Sequence, residues 1–213
     1  MAKCSISLMT DLMRNGTVLA AMVCALGACA LGTHGNSSSG TSHLFSTHAV
    51  VLDVPFEPQH APGWCGLAAL DMVSRYHSLP VLASQRKGIL GQVTRTGGSS
   101  GSSLKEAFLQ SGYFVAVFSG TFDSQPTSLL HHLDHGRPLI VMLAAKHGGS
   151  RHYVVVAGYD PMDRQLVILD PTKGRVTVPF EDFNLSWQKA NRFTLLATPT
   201  TRSSERSSTD VTP

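Results

Sequence analysis

The sequence predicts an α+β fold with a mostly antiparallel sheet, and three observations carry that expectation. Segments with helical spacing come early and β-segments come late, so the two kinds are segregated along the chain instead of alternating. At 42% hydrophobic and 15% charged, the 213-residue chain can bury a core. Both ends are poor candidates for a fold, which leaves one domain over about residues 49–197. No internal repeat is evident.

Taken in order, "AVVLDVPF" (49–56) predicts a strand stopped by proline. "CGLAALDMVSRYH" (65–77) carries Leu67, Leu70 and Val73 with alanines between, which is helical spacing. "SLKEAFLQSG" predicts a short helix with Ser103 as N-cap, Glu106 completing a capping box and Gly112 as the stop. "YFVAVFS" is strand-like. "PTSLLHHLDHG" has proline near its start and glycine after its end, the usual asymmetry of a helix. "PLIVMLAA", "HYVVVAGYD", "QLVILD" and "GRVTVPF" predict four successive strands. "EDFNLSWQKA" adds a short helix and "RFTLLAT" a last strand.

The first 28 residues read as an export signal. Lys3 and Arg14 give a basic start, and "TVLAAMVCALGA" is an apolar run shorter than the ~20 residues that span a bilayer. The run ends in "LGAC", which is similar to the lipobox of bacterial lipoproteins and makes Cys29 the expected lipidation site. Ala30 after that cysteine points, by Gram-negative sorting rules, to the outer membrane, facing the periplasm; a periplasmic or inner-membrane location is the alternative. Residues 29–48, rich in Gly, Ser and Thr, read as a flexible tether. Residues 198–213 have almost no apolar side chains and read as a disordered tail. A formal charge of +3 with no dense basic run argues against nucleic acid as a partner.

The cysteine count then becomes informative. Cys4 and Cys24 lie in the expected signal, and lipid consumes Cys29, so Cys65 is the one thiol expected in the mature chain. Exported proteins usually pair their cysteines or lose them, and a lone thiol is open to oxidation. Cys65 also stands where a helix begins, and unpaired N–H groups at that end favour a thiolate. Its candidate base is His152, which opens a strand of aliphatic residues. Asp170 closes the next strand, so a hairpin brings both residues to one end and lets the carboxylate orient the ring. Gln59, six residues before Cys65, could join the Cys65 backbone N–H in holding an oxyanion.

Competing readings are simpler. Cys65 could be a small core residue, Asp170 a turn cap beside Pro171, and Gln59 a loop residue. His60 and His147 are rival bases, although both sit among turn residues. "HHLDH" places His131 and His135 at a metal-ligand spacing, but solvated helix histidines are commoner and no further ligand stands out. Trp64 reads first as packing beside the cleft; it and Gly66 are the candidates for substrate contact. Gly97-Gly98 and Gly148-Gly149 read as loops near the site before they read as self-cleavage points.

The order Gln, five residues, Cys-Gly, a helix, then His at a strand start and Asp-Pro with a nearby glycine, resembles the bacteriocin-processing double-glycine peptidases. The stretches that carry the resemblance are "QHAPGWCGLAALDMVSRYH", "GGSSGSSLKEAFLQSGY", "GRPLIVMLAA" and "HYVVVAGYDPMDRQLVILDPTKG". It implies a papain-like cysteine peptidase domain with Cys65 as nucleophile, His152 as base, Asp170 as orienter and Gln59 as oxyanion donor, needing no metal or cofactor. The chain departs from many members in two ways. It carries an apparent export signal instead of an exporter's membrane and ATPase segments, and Trp64 stands where many have aspartate. The expectation is therefore a free-standing exported form acting on a secreted protein or peptide, with a secretion system as a candidate partner. Two alternatives stay open: a lipoprotein adaptor or chaperone binding extended segments, and a cell-wall amidase or transpeptidase.

Overall fold

The computed structural model describes residues 46, 48–123, 125–144 and 150–200, all within one unit, Thr41–Pro213. The expected signal, Cys29, most of the tether, His147 and Gly148-Gly149 lie outside the described residues. The described elements run β1 (Val50–Val51), α1 (Cys65–Tyr76), α2 (Ala83–Thr96), α3 (Gly101–Gln110) and β2 (Tyr113–Ser119). Next come α4 (Leu129–Asp134), β3 (Leu139–Ala144), β4 (Arg151–Asp160) and β5 (Gln165–Asp170), then β6 (Gly174–Pro179), α5 (Phe180–Gln188) and β7 (Phe193–Pro199).

The strands form one antiparallel sheet in the order β2-β7-β3-β4-β5-β6, with β1 laid against the far end of β4. Alternate side chains feed two cores, as the pleat dictates. Tyr153, Val155 and Ala157 of β4 face α1, α2 and α3, while Val154 and Val156 face α4 and α5. Helix α1 is buried along most of its length, with Leu70, Met72 and Val73 at 1% exposure or less. Each such side chain contributes roughly 1.5–3 kcal/mol through burial. That buried face presses the helix start against β4. Among the described residues no helix is long and apolar enough to cross a membrane.

The α+β class holds, and four local expectations need correction. The first strand is only two residues long, because Pro55 and Pro58 end any continuation, although Leu52 N–H still donates to Ala157. Helix α2 has no counterpart in the sequence reading: it buries only Ile89 and Val93 and carries Gly88 and Gly91 inside. Helix α3 starts earlier than expected. Ser100 is the N-cap, in a reciprocal capping box with Ser103, and Glu106 instead accepts from Gln110 at 2.7 Å. Helix α4 is trimmed to six residues, since Pro126 and Thr127 belong to the turn before it.

Candidate active site

Cys65 is the first residue of α1, with Trp64 as N-cap and no acidic residue in the first turn. It is 8% exposed and lines a cleft of about 320 Å³. Burial pushes its thiol pKa up, but a hydrogen bond with His152, a backbone N–H of Tyr153, the imidazole charge and the N–H of Gly66 outweigh that. The thiol is held below its ordinary value.

His152 is the second residue of β4 and Asp170 the last of β5. The two strands pair with Val155 opposite Leu169, a register that places Asp170 on the diagonal from His152. His152 Nε2–H donates to Asp170 Oδ1 at 2.7 Å, which leaves Nδ1 as the ring nitrogen for the sulfur. Burial pulls the imidazole pKa down, yet the Asp170 hydrogen bond and the sulfur raise it to about 9. Asp170 is 4% exposed. Its burial disfavours charge, but donors from His152 and Thr172 hold the carboxyl well below the usual carboxylate range. Each member of the pair thus favours the charged form of the other, the imidazolium lowering the thiol and the sulfur raising the imidazole.

Thr172, which the sequence reading missed, donates to Asp170 Oδ1 through its backbone N–H (2.9 Å) and its hydroxyl (2.7 Å). The turn-cap role of Asp170 and its contact with His152 are thus made by one oxygen. Lys173 Nζ stands 3.7 Å from Oδ2. The Asp-Pro-Thr order was the available signal, because Asp readily bonds the backbone two residues on.

The other predicted residues lie around this centre. Gln59 N–H donates to the carbonyl of Pro171 at 3.0 Å, tying the segment before α1 to the loop after Asp170. Gln59 lines a small cavity with His60, Trp64 and Arg86 and is not among the residues that line the Cys65 cleft. Trp64 packs against the core and meets the His60 ring edge-on at 6.2 Å. His60, the rival base, pairs with Glu57 at 3.0 Å. A charged frame surrounds these residues: Arg75 reaches Glu57 Oε2 at 2.5 Å, and Arg86 grips Asp71 with two nitrogens.

Glycines shape the cleft. Gly63 has φ +81°, and a Cβ there would stand 2.1 Å from the Gly97 carbonyl. A Cβ on Gly66 would meet Ser99 Oγ at 2.0 Å and the Tyr153 ring at 3.1 Å. Gly97 and Gly98 line the cleft beside Cys65. A larger cavity of about 510 Å³, lined by Phe122, Phe180 and Asn184, opens on the α4–α5 face, away from this chemistry.

The histidines of "HHLDH" divide between surface and core. His135 Nδ1 bonds the His131 carbonyl at 2.7 Å, and His132 is buried against Phe118. Among the described residues no group of three His, Cys, Asp or Glu is arranged to hold a metal ion.

No curated protein matches the chain. Several solved structures share its fold. A double glycine motif protease from an AMS/PCAT transporter, solved in complex with a leader peptide, is 24% identical with a TM-score of 0.54, covering 72% of this chain and 99% of its own. A putative C39-like peptidase from Bacillus anthracis is 18% identical with the same TM-score and the same coverage. The peptidase domain of Streptococcus ComA, a bi-functional ABC transporter, is 20% identical with a TM-score of 0.51, covering 68% and 98%. The sequence itself matches the Peptidase_C39-like family over residues 51–194, which takes in all five helices and β2 to β6, from the end of β1 to the start of β7. The chain belongs to that family of cysteine peptidases.

Proposed function

We propose that the protein cleaves peptide bonds in an exported or secreted protein or peptide, with Cys65 as nucleophile. The observation that supports this best is the chain of contacts from the α1 N-terminus: Cys65 to His152, and His152 to Asp170 at 2.7 Å. The Cys65 thiolate attacks the scissile carbonyl, and the S–C bond forms as the carbonyl π pair moves to oxygen. The Cys65 backbone N–H holds that oxyanion, joined by the Gln59 amide once substrate is bound, since Gln59 lies outside the cleft lining of the free protein. The imidazolium of His152 gives its proton to the departing amine as the C–N bond breaks. Neutral His152 then takes a proton from water, which attacks the thioester, and the thiolate is expelled. Asp170 keeps the ring oriented throughout.

A solved relative holding a leader peptide supports a peptide as the occupant of this cleft. Walls made of Gly63, Gly97 and Gly98 leave room for slim residues, so a double-glycine-like site is a candidate motif. The proposal also places the enzyme on a membrane through lipidated Cys29, facing the periplasm, with a secretion system as a candidate partner. The test is cleavage of unfolded exported proteins and peptides by the purified chain. Cys65→Ala should abolish cleavage with the circular dichroism spectrum retained, and Gln59→Ala should lower kcat by roughly 10²-fold. Cleavage by Cys65→Ala at the wild-type rate would overturn the assignment.

A further inference from the structure

Two helices, not one, begin at the Cys65 cleft. Cys65 opens α1, and the wall opposite is Ser99, Ser100 and Gly101, where the ten-residue α3 starts. Neither helix has an acidic residue in its first turn. In α3 the Ser100 hydroxyl accepts from Ser103 N–H, while the N–H groups of Gly101 and Ser102 lie outside the helical ladder. Among the described residues, Arg151 supplies the one cationic side chain in the cleft lining, and no Asp or Glu lines it. The α1 dipole is engaged by the thiolate; the α3 dipole faces the same space.

A second, independent observation concerns Tyr153. It is 3% exposed and lines the cleft, and its hydroxyl is buried with no hydrogen-bond partner. Ser99 Oγ, on the same wall, is also buried without a partner. A buried hydroxyl left unbonded costs about 1–3 kcal/mol, which an acceptor reaching Tyr153 and Ser99 would recover. Donors on one wall, a helix N-terminus and a guanidinium together suit a carboxylate.

Resting on the peptidase reading above, we propose that this cleft binds a carboxylate of the peptide substrate, carried near the scissile bond by an acidic side chain or by a free C-terminus. Tyr153, Ser99 and the start of α3 donate to it, and Arg151 supplies the opposite charge.

The test needs no knowledge of the natural substrate. Iodoacetate and iodoacetamide are near-isosteres that alkylate a thiolate by the same displacement, the S–C bond forming as iodide leaves, but only iodoacetate carries a carboxylate. The ratio of their rates at Cys65 should fall about fivefold or more in Arg151→Gln and in Tyr153→Phe, and with added salt in the wild type. An unchanged ratio in both variants would assign any preference for the anion to His152 alone and overturn the proposal. Slow alkylation by both reagents in the wild type would instead overturn the peptidase reading. Once a cleaved peptide is known, Asp against Asn near the scissile bond, and a free against an amidated C-terminus, separate the two carboxylate sources. Equal kcat/KM across both comparisons would also contradict the site.

Discussion

At the residue scale, Asp170 Oδ1 accepts three hydrogen bonds, from His152 Nε2, Thr172 N and Thr172 Oγ1. The two from Thr172 fix the carboxylate before it meets the ring, so the orienting role proposed for it does not depend on a mobile side chain. Replacing the carboxylate with an amide alters which ring nitrogen carries the proton while keeping the shape. Asp170→Asn is therefore expected to lower kcat/KM by on the order of 10²–10⁴-fold. Thr172→Val removes one donor but keeps the backbone N–H, and should cost about tenfold or less. Both are measured by peptide cleavage under pseudo-first-order conditions, and wild-type activity in Asp170→Asn would exclude the orienting role. His152 and Asp170 were legible in the sequence as the same end of two adjacent strands, because strand ends can be read from periodicity. Thr172 and Tyr153 were not, since their importance lies in which atom each hydroxyl meets or fails to meet.

At the scale of elements, the cleft depends on how closely the loop before α1 approaches the end of α2. Gly63 and Gly97 both have positive φ, +81° and +78°, and the Gly97 carbonyl fills the space where a Gly63 side chain would stand. Gly63→Ala combines left-handed strain with a backbone clash, and should destabilise by at least about 2 kcal/mol. Gly88→Ala, inside α2 with nothing within 4 Å of its Cβ, should do the opposite and stabilise by up to about 1 kcal/mol. Urea unfolding of both variants checks the pair, and a Gly63→Ala protein as stable as wild type would contradict the packing described. The glycines also explain why α2 was illegible. Gly88 and Gly91 lower its helix propensity, and only Ile89 and Val93 reach the core, too few for a readable stripe. Its αL stop at Gly97 was visible, but reads equally well as a loop. The N-cap of α3 moved from Ser103 to Ser100 because a run of serines offers several equivalent caps, and packing selects among them.

At the scale of the whole molecule, an antiparallel sheet separates two cores; Cys65 belongs to the α1–α3 core, and His152 and Asp170 stand near the strand ends of β4 and β5 that reach it. Long aliphatic strands made β3, β4, β5 and β7 legible one by one, whereas the sheet order depends on tertiary pairing that no single segment encodes. Membrane attachment is a separate proposal, resting on the "LGAC" stretch ending at Cys29. Expressed in a Gram-negative host with labelled palmitate, the wild type should incorporate label and partition with membranes. Cys29→Ser should do neither, yet keep the Cys65 chemistry in the soluble fraction. Equal labelling of the variant would contradict the anchor. Neither result bears on the sulfur.

The sulfur itself is tested most directly by the pH dependence of Cys65 alkylation with iodoacetamide, followed by mass spectrometry of the peptide that contains it. An ordinary thiol reacts with a midpoint of about 8.5. With His152 charged up to about 9 beside the sulfur, the wild-type midpoint should lie below that of a free thiol. His152→Ala should return the midpoint to the ordinary range or above it. A wild-type midpoint at or above that of a free cysteine, unmoved by His152→Ala, would contradict the ion pair on which the proposed mechanism stands.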